Sequence, residues 1–195
     1  MKSAKTGEYT LTTRDGKSII RRITAPEEFL INDFKGSIRF EKSYEGTIDP
    51  VQISSLKSLT EFDNPSIKYF SGNAIYTIEF KIPKGITTTD KLLLDPGSFD
   101  ATAAVSLNGK KLGTIWKSGS RIDVSGLLKE TNILEVNVAN VYRNRFIGDF
   151  IQYGKVQNLW TSSPIEQFLD KDKPLKPSGL MGPVKLIRTN SMLIN

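Results

Sequence analysis

Three runs of strict two-residue alternation decide most of what this chain can become. In "YFSGNAIYTIEF", Ala74, Tyr76, Ile78 and Phe80 fall on one side, and Ile75, Thr77 and Glu79 on the other. "ATAAVSLNG" repeats the pattern with Ala103, Val105 and Leu107. "NILEVNVANVY" does so with Ile133 or Leu134, Val136 and Val138, leaving Glu135 and Asn137 outward. A period of two belongs to a strand with one face on a core, whereas a helix would scatter the same side chains around its axis. The intervals between runs are too short for repeated crossover helices. The pattern therefore predicts an all-β fold, antiparallel sheets packed as a sandwich.

Turn chemistry divides the strands. Asn108-Gly109 is the favoured pair for a tight type I′ hairpin. Asp95-Pro96-Gly97 stops the apolar "LLL", since proline has no ladder donor and glycine permits the reversal. Around Arg14-Asp15-Gly16, "EYTLTTRDGKSIIRRI" reads as a short hairpin of modest apolar content. Residues 1–33 are accordingly expected to be an N-terminal hairpin or the remnant of an upstream region, and residues 34–195 the sandwich. "GSIRFEKS" leads into the main body, and Tyr44 to Tyr69 reads as a long surface excursion anchored by Val51, Leu56, Leu59 and Phe62. "PSGLMGPVKLIRT" supplies the closing strand. One short helix is expected near 164–169, where Ser163 can cap, Pro164 takes the first helical position and Glu166 closes the capping box.

Composition enters as a set of exclusions. With no cysteine and no histidine in 195 residues, disulfides, thiolate nucleophiles and the commonest general base near neutrality are all removed. Twenty-seven Lys and Arg against 21 Asp and Glu leave +6, but acids lie among the bases throughout, so no nucleic-acid face is expected. No apolar run approaches the roughly 20 residues of a membrane span. "MKSAKTGEYTLTTRDG" lacks the apolar segment of a signal peptide.

Hydrolysis without histidine would fall to paired carboxylates, for which Glu79, Asp95, Asp100, Asp123, Glu135 and Asp149 are candidates. The ordinary reading of each is a turn, a cap or a solvated sheet face. A structural calcium ion bridging sheet edges would need several oxygens, to which Asp95 or Asp149 could contribute. The segment richest in recognition chemistry is "NVYRNRFIGDFIQYG", where Tyr142, Phe146, Phe150 and Tyr153 alternate with Asn140, Arg143, Asn144, Arg145 and Asp149. Aromatic faces beside directional donors and acceptors suit a sugar, whose ring hydrogens pack apolar while its hydroxyls need hydrogen bonds. The same residues equally suit a loop pinned by an Arg-Asp pair. Trp116, on the returning arm of the hairpin, reads either as a half-core residue or as an exposed stacking ring, and Lys110 and Lys111 as a solvated hairpin tip. The candidate ligand-binding set is thus Trp116, Asn140, Tyr142, Arg143, Asn144, Arg145, Asp149 and Tyr153.

Taken in order, "YFSGNAIYTIEF", "LLLDPGSFDATAAVSLNGKKLGTIWKSGSRIDVSGLL", "NILEVNVANVYRNRFIGD" and "PSGLMGPVKLI" resemble the C-terminal galactose-binding-like (glycoside hydrolase family 2 sugar-binding-like) domain of large bacterial α-L-rhamnosidase-like proteins, from Phe34 to Ile187. Ser71-Gly72, the Asn108-Gly109 hairpin through Trp116, the Arg121, Asp123 and Val124 strand, and Asn140, Asn144, Arg145, Ile147, Gly148 and Asp149 carry the likeness. Ser106 stands where relatives have a valine-like residue, and "FKGSIRF" where they often carry a tryptophan. The resemblance implies a jelly-roll galactose-binding-like sandwich, with the 140–149 stretch a loop after the long inner strand. It also implies a non-catalytic carbohydrate-binding or accessory domain of a polysaccharide-degrading glycoside hydrolase, periplasmic or extracellular, whose partners are a weakly bound carbohydrate and a catalytic domain outside this chain. The alternatives are a docking domain without a glycan site and an autonomous glycosidase.

Overall fold

A computed structural model describes residues 6–41, 46–157 and 173–188. The alternating runs are strands. In chain order these are β1 (Gly7–Thr12), β2 (Ser18–Ile23), β3 (Glu27–Leu30), β4 (Phe34–Phe40), β5 (Val51–Ile53), β6 (Asn73–Lys81), β7 (Leu92–Asp95), β8 (Ser98–Phe99), β9 (Thr102–Leu107), β10 (Lys110–Ile115), β11 (Ile122–Asp123), β12 (Thr131–Ala139), β13 (Leu180–Gly182) and β14 (Lys185–Arg188). A 3₁₀ turn at Leu59–Glu61 and two helices, α1 (Pro65–Lys68) and α2 (Arg143–Tyr153), complete the described elements.

A six-stranded sheet in the order β10-β9-β12-β6-β4-β5 faces a four-stranded sheet in the order β11-β7-β14-β3. Every pairing is antiparallel, as expected. The inner face of the larger sheet contributes Ile38, Phe40, Ala74, Tyr76, Ile78, Phe80, Ala103, Val105, Leu107, Leu134, Val136 and Val138; Leu92, Leu94 and Leu186 answer from the smaller. Removing these side chains from water is the main force holding the layers together. Tyr76 is completely buried in this layer, and burial pushes its phenol up to about 12.

The predicted hairpin forms: Leu107 pairs with Lys110, and Asn108 and Gly109 take φ of 52° and 82°, the signs a type I′ turn needs. Asn108 also donates through Nδ2 to Leu127 O (2.8 Å) and Asn132 Oδ1 (3.0 Å) while its Oδ1 accepts the Ile133 amide (2.9 Å). At the other predicted turn, Asp95 Oδ1 accepts the Gly97 amide at 2.8 Å. Gly97 has φ +80°, and a Cβ there would collide with the backbone of Gly182 and Pro183. Leu59 is fully buried as an anchor of the excursion, with Val51, Leu56 and Phe62 packed partly against the core. The hairpin β1-β2 forms its own exposed two-stranded sheet, whereas β3 is the edge strand of the four-stranded sheet. The helix expected near 164–169, with Ser163, Pro164 and Glu166, lies outside the described residues.

One expectation is corrected. The stretch read as a loop after the long inner strand is the 11-residue helix α2. Its i,i+4 pairs supply the reason: Tyr142 and Phe146 stack with centroids 6.1 Å apart, and Arg145 and Asp149 pair within the helix. The helix ends at Gly154, whose amide donates to Phe150 O at 2.9 Å. It sits directly on the C-terminal end of α1, so close that a Cβ at Gly148 would strike the side chain of Tyr69. No helix among the described residues is long and apolar enough to cross a membrane.

Candidate functional site

The fold gathers most of the predicted binding residues onto α2 and then uses their polar atoms internally. Asn144, Arg145 and Asp149 lie in its buried middle, residues 144–149, at 3%, 5% and 2% exposure. Asn144 clasps the backbone of Lys176 from both ends of its amide: Nδ2 donates to Lys176 O (2.6 Å) and Oδ1 accepts the Lys176 amide (2.8 Å). Arg145 Nε stands 3.6 Å from Asp149 Oδ2, which also accepts the Gln157 amide at 3.0 Å. Asn140 holds the turn before β6, with Oδ1 accepting the Gly72 amide and Nδ2 donating to Phe70 O, each at 2.8 Å. Arg143 Nη2 donates to Pro174 O at 3.2 Å. The sequence leaves these five open as ligand contacts or as pins, and these contacts are all made within the chain.

The rings divide differently. Phe146 is buried, whereas Tyr142 and Tyr153 are 51% and 56% exposed. Trp116 is 79% exposed, and so is not a half-core residue. It follows edge strand β10, at the end of the sheet from which the chain leaves β12 toward α2.

Nor do the candidate carboxylates form an opposed pair. Asp95 caps its turn, and Asp100, itself buried, binds Lys176 Nζ at 2.7 Å. Asp123 Oδ1 accepts the Ser125 amide at 2.9 Å, and bonding by the Ser125 side chain and then its amide holds the carboxyl below its ordinary range. Glu79 and Glu135 are diagonal neighbours on the open outer face of the large sheet rather than facing walls of a cleft. Among the described residues no group of three or more carboxylates could hold a metal ion. Of the two calcium donors considered, Asp95 is engaged by its turn and Asp149 by Arg145.

That outer face carries what the sequence reading missed. Register aligns Lys111, Ser106, Glu135, Thr77, Ser37 and Gln52 in one row across six strands, and Thr114, Ala104, Asn137, Ile75 and Arg39 in the next. At the β10-β9-β12 end the two rows enclose an open groove of about 390 Å³, lined by Ser106, Lys111, Thr114, Glu135 and Asn137 around Ala104 and Gly113. Glu135 and Asn137 were legible as outward-facing, but their meeting with β10 depends on strand order.

Residues 59–146 match the family described as glycosyl hydrolase 2 galactose-binding domain-like. A protein of Formosa agariphila, provisionally named a beta-glucuronidase, is 40% identical over 162 residues, covering 72% of this chain and 14% of that protein. The rhamnosidase structure from Novosphingobium sp. PP1Y superposes over 91% of this chain and 16% of its own, with TM-score 0.70 and 33% identity. The beta-D-glucuronidase of Dictyoglomus thermophilum shares the fold over 87% of this chain and 29% of its own, with TM-score 0.54 and 16% identity. This chain thus spans about a seventh of the length of the Formosa protein and a sixth of that of the rhamnosidase.

Proposed function

Because the chain is a galactose-binding-domain-like module of the glycosyl hydrolase 2 type, homologous to one part of much larger rhamnosidase- and glucuronidase-type enzymes, we propose that it serves as a non-catalytic carbohydrate-binding accessory module of a glycoside hydrolase. The observation that carries this reading is the asymmetry of coverage: nearly all of this chain corresponds to 16% of the rhamnosidase. The carboxylates support it, being engaged in turns and ion pairs or displayed on an open sheet. Trp116, Tyr142 and Tyr153 offer accessible rings for the apolar face of a sugar. Asn140, Asn144, Arg145 and Asp149 hold that surface in place from beneath. The module works outside the cytoplasm, where polysaccharide substrates are met.

A second reading rests on the two ends of α2, where Val141 and Tyr142 are exposed just before its first turn and Ile151 and Tyr153 in its last. Exposed apolar side chains of this kind suit the docking of a catalytic domain. Two assays separate the possibilities. With aryl rhamnosides and aryl glucuronides no turnover is expected; turnover that copurifies with the chain would overturn the non-catalytic assignment. Retention on insoluble polysaccharides is expected for a binding module, and none for a docking domain.

A further inference from the structure

We propose that the groove between β10, β9 and β12 on the outer face of the large sheet is the saccharide site of this module, built for a neutral sugar with adjacent hydroxyls rather than for a uronate. The inference rests on the carbohydrate reading above and gives it a location away from α2.

Geometry comes first. Neighbouring strands lie about 4.8 Å apart and alternate residues of one strand about 7 Å apart, so the polar groups span about 10 Å by 7 Å. That is room for a monosaccharide ring lying flat. The hollow exists because Ala104 and Gly113 carry little or no side chain at its centre. A register shift between Lys111 and Gly113 pairs Lys111 with Ser106 and Thr114 with Ala104, so an extra residue is accommodated while both Lys111 and Thr114 line the groove.

The chemistry is that of a diol receptor. Lys111 can only donate and Glu135 can only accept, while Ser106, Thr114 and Asn137 can do both. A sugar hydroxyl also donates and accepts, so adjacent hydroxyls can be satisfied by this set without leaving a charge unanswered. Asn137 Oδ1 is shielded from solvent and has no hydrogen-bond partner among the described residues. A shielded acceptor without a donor is unfavourable until one arrives. The amide torsion is broad enough to turn toward an incoming hydroxyl. Trp116, two residues beyond Thr114 and just past the end of β10, is an exposed ring that can cover the apolar side of a bound sugar.

Selectivity follows from the two charges. Lys111 and Glu135 lie on opposite sides of Ser106, two strands apart, and neither forms an ion pair among the described residues. A uronate carboxylate would be attracted by Lys111 and repelled by Glu135, and it cannot donate to Asn137 or Glu135. A neutral ring meets no such conflict.

The test is amide chemical-shift mapping of the isotopically labelled full chain, titrated separately with lactose, cellobiose, methyl rhamnoside and sodium glucuronate to millimolar excess. Saturable shifts are expected at Ser106, Gly113, Thr114, Glu135 and Asn137 with at least one neutral sugar, and about tenfold weaker binding of glucuronate. Lys111→Ala and Asn137→Ala should each weaken the neutral sugar about fivefold to tenfold, with unchanged melting to show that both fold. Glu135→Gln should narrow the preference over glucuronate. Shifts centred on Tyr142 to Tyr153 with silent groove amides would overturn the groove while leaving the carbohydrate reading standing. Silence with every probe would remove both. Glucuronate binding as well as the neutral sugars would overturn the selectivity.

Discussion

At the α2 end of the sandwich, Asn140 and Asn144 each use both ends of their amides on backbone groups, and Arg145 and Asp149 face one another in the interior. On the outer face of the large sheet, Asn137, Glu135 and Lys111 are residues of the same kinds, yet they form no internal clasp or ion pair among the described residues. The difference lies in what each surface must hold together. Elements at the α2 end meet without a shared ladder, so side chains have to satisfy the backbone of the 70–72 turn and the 174–176 segment. Within the sheet, β9, β12 and β6 satisfy one another through their ladders, which leaves their outward side chains available to a ligand. Residue type proposes a binding surface; the destination of its hydrogen bonds decides.

The largest effect should come from undoing a clasp. Asn144→Ala removes the partner of both the amide and the carbonyl of Lys176, two part-buried bonds made by a side chain that is itself buried, and a loss of about 3 kcal/mol is expected after the small gain in helix propensity. For a chain of this size that is a fall of about 6–12 °C in Tm, measurable by calorimetry. A loss below about 1 kcal/mol would show that water replaces Asn144 freely, and the contrast with the sheet face would weaken.

How far the sequence foretold this contrast depends on range. Strands β6, β9 and β12 were legible because a period of two is local, and the Asn108-Gly109 turn because its φ requirement selects those residues. Helix α2 was obscured because Tyr142, at its start, offers no capping side chain and Gly148 interrupts its middle; the i,i+4 spacing of Tyr142 with Phe146 and of Arg145 with Asp149 was the available signal. The groove was not legible at all. Ser106 and Glu135 are brought together by pairing β9 with β12, although β10 and β11 intervene in sequence and β11 belongs to the other sheet. The partner of Asn144 lies in a segment with no periodic pattern, which is why the same residue could be read as a ligand contact or as a pin.

The inner and outer faces of the sheet can be told apart by pH. Tyr76 is buried and its phenol lies near 12, against an ordinary value of 10.0, while Thr77 beside it faces outward. Below pH 10 both folded and unfolded chains keep the proton and stability is unaffected. Between about 10 and 12 only the unfolded chain releases it, so stability should fall by on the order of 2–3 kcal/mol across that window. Tyr76→Phe should flatten the fall, and phenolate absorbance should show one of the six tyrosines ionising only as the chain unfolds. An alkaline limb unchanged in the Phe variant would assign the loss to other groups.

A smaller effect of unusual sign sharpens the α2 side. Exchange of an interior helical glycine for alanine ordinarily stabilises by about 1 kcal/mol. At Gly148 the added methyl would strike Cβ and the ring of Tyr69, so Gly148→Ala should instead destabilise, by about 2 kcal/mol in chemical denaturation. A stabilised variant would mean that α2 can slide off α1, and that the clasp tolerates the movement.

The smallest effects are expected on the sheet face, and they bear most directly on the contrast. Ser106→Ala and Thr114→Ala remove groove-lining hydroxyls for which no internal partner is found among the described residues, so each should change stability by no more than about 0.5 kcal/mol. Asn137→Ala removes a shielded oxygen that has no donor among the described residues and should be neutral or slightly stabilising. Asn137 and Asn144 thus form a matched pair, two partly or wholly buried amides within eight positions, with expected consequences differing by about 3 kcal/mol because one closes a backbone gap and the other does not. Equal losses at both positions, measured by the same urea titration, would mean that Asn137 is also a structural clasp. The outer face would then be held as tightly as the α2 end, and its polar row would be scaffold rather than a surface left open for a sugar.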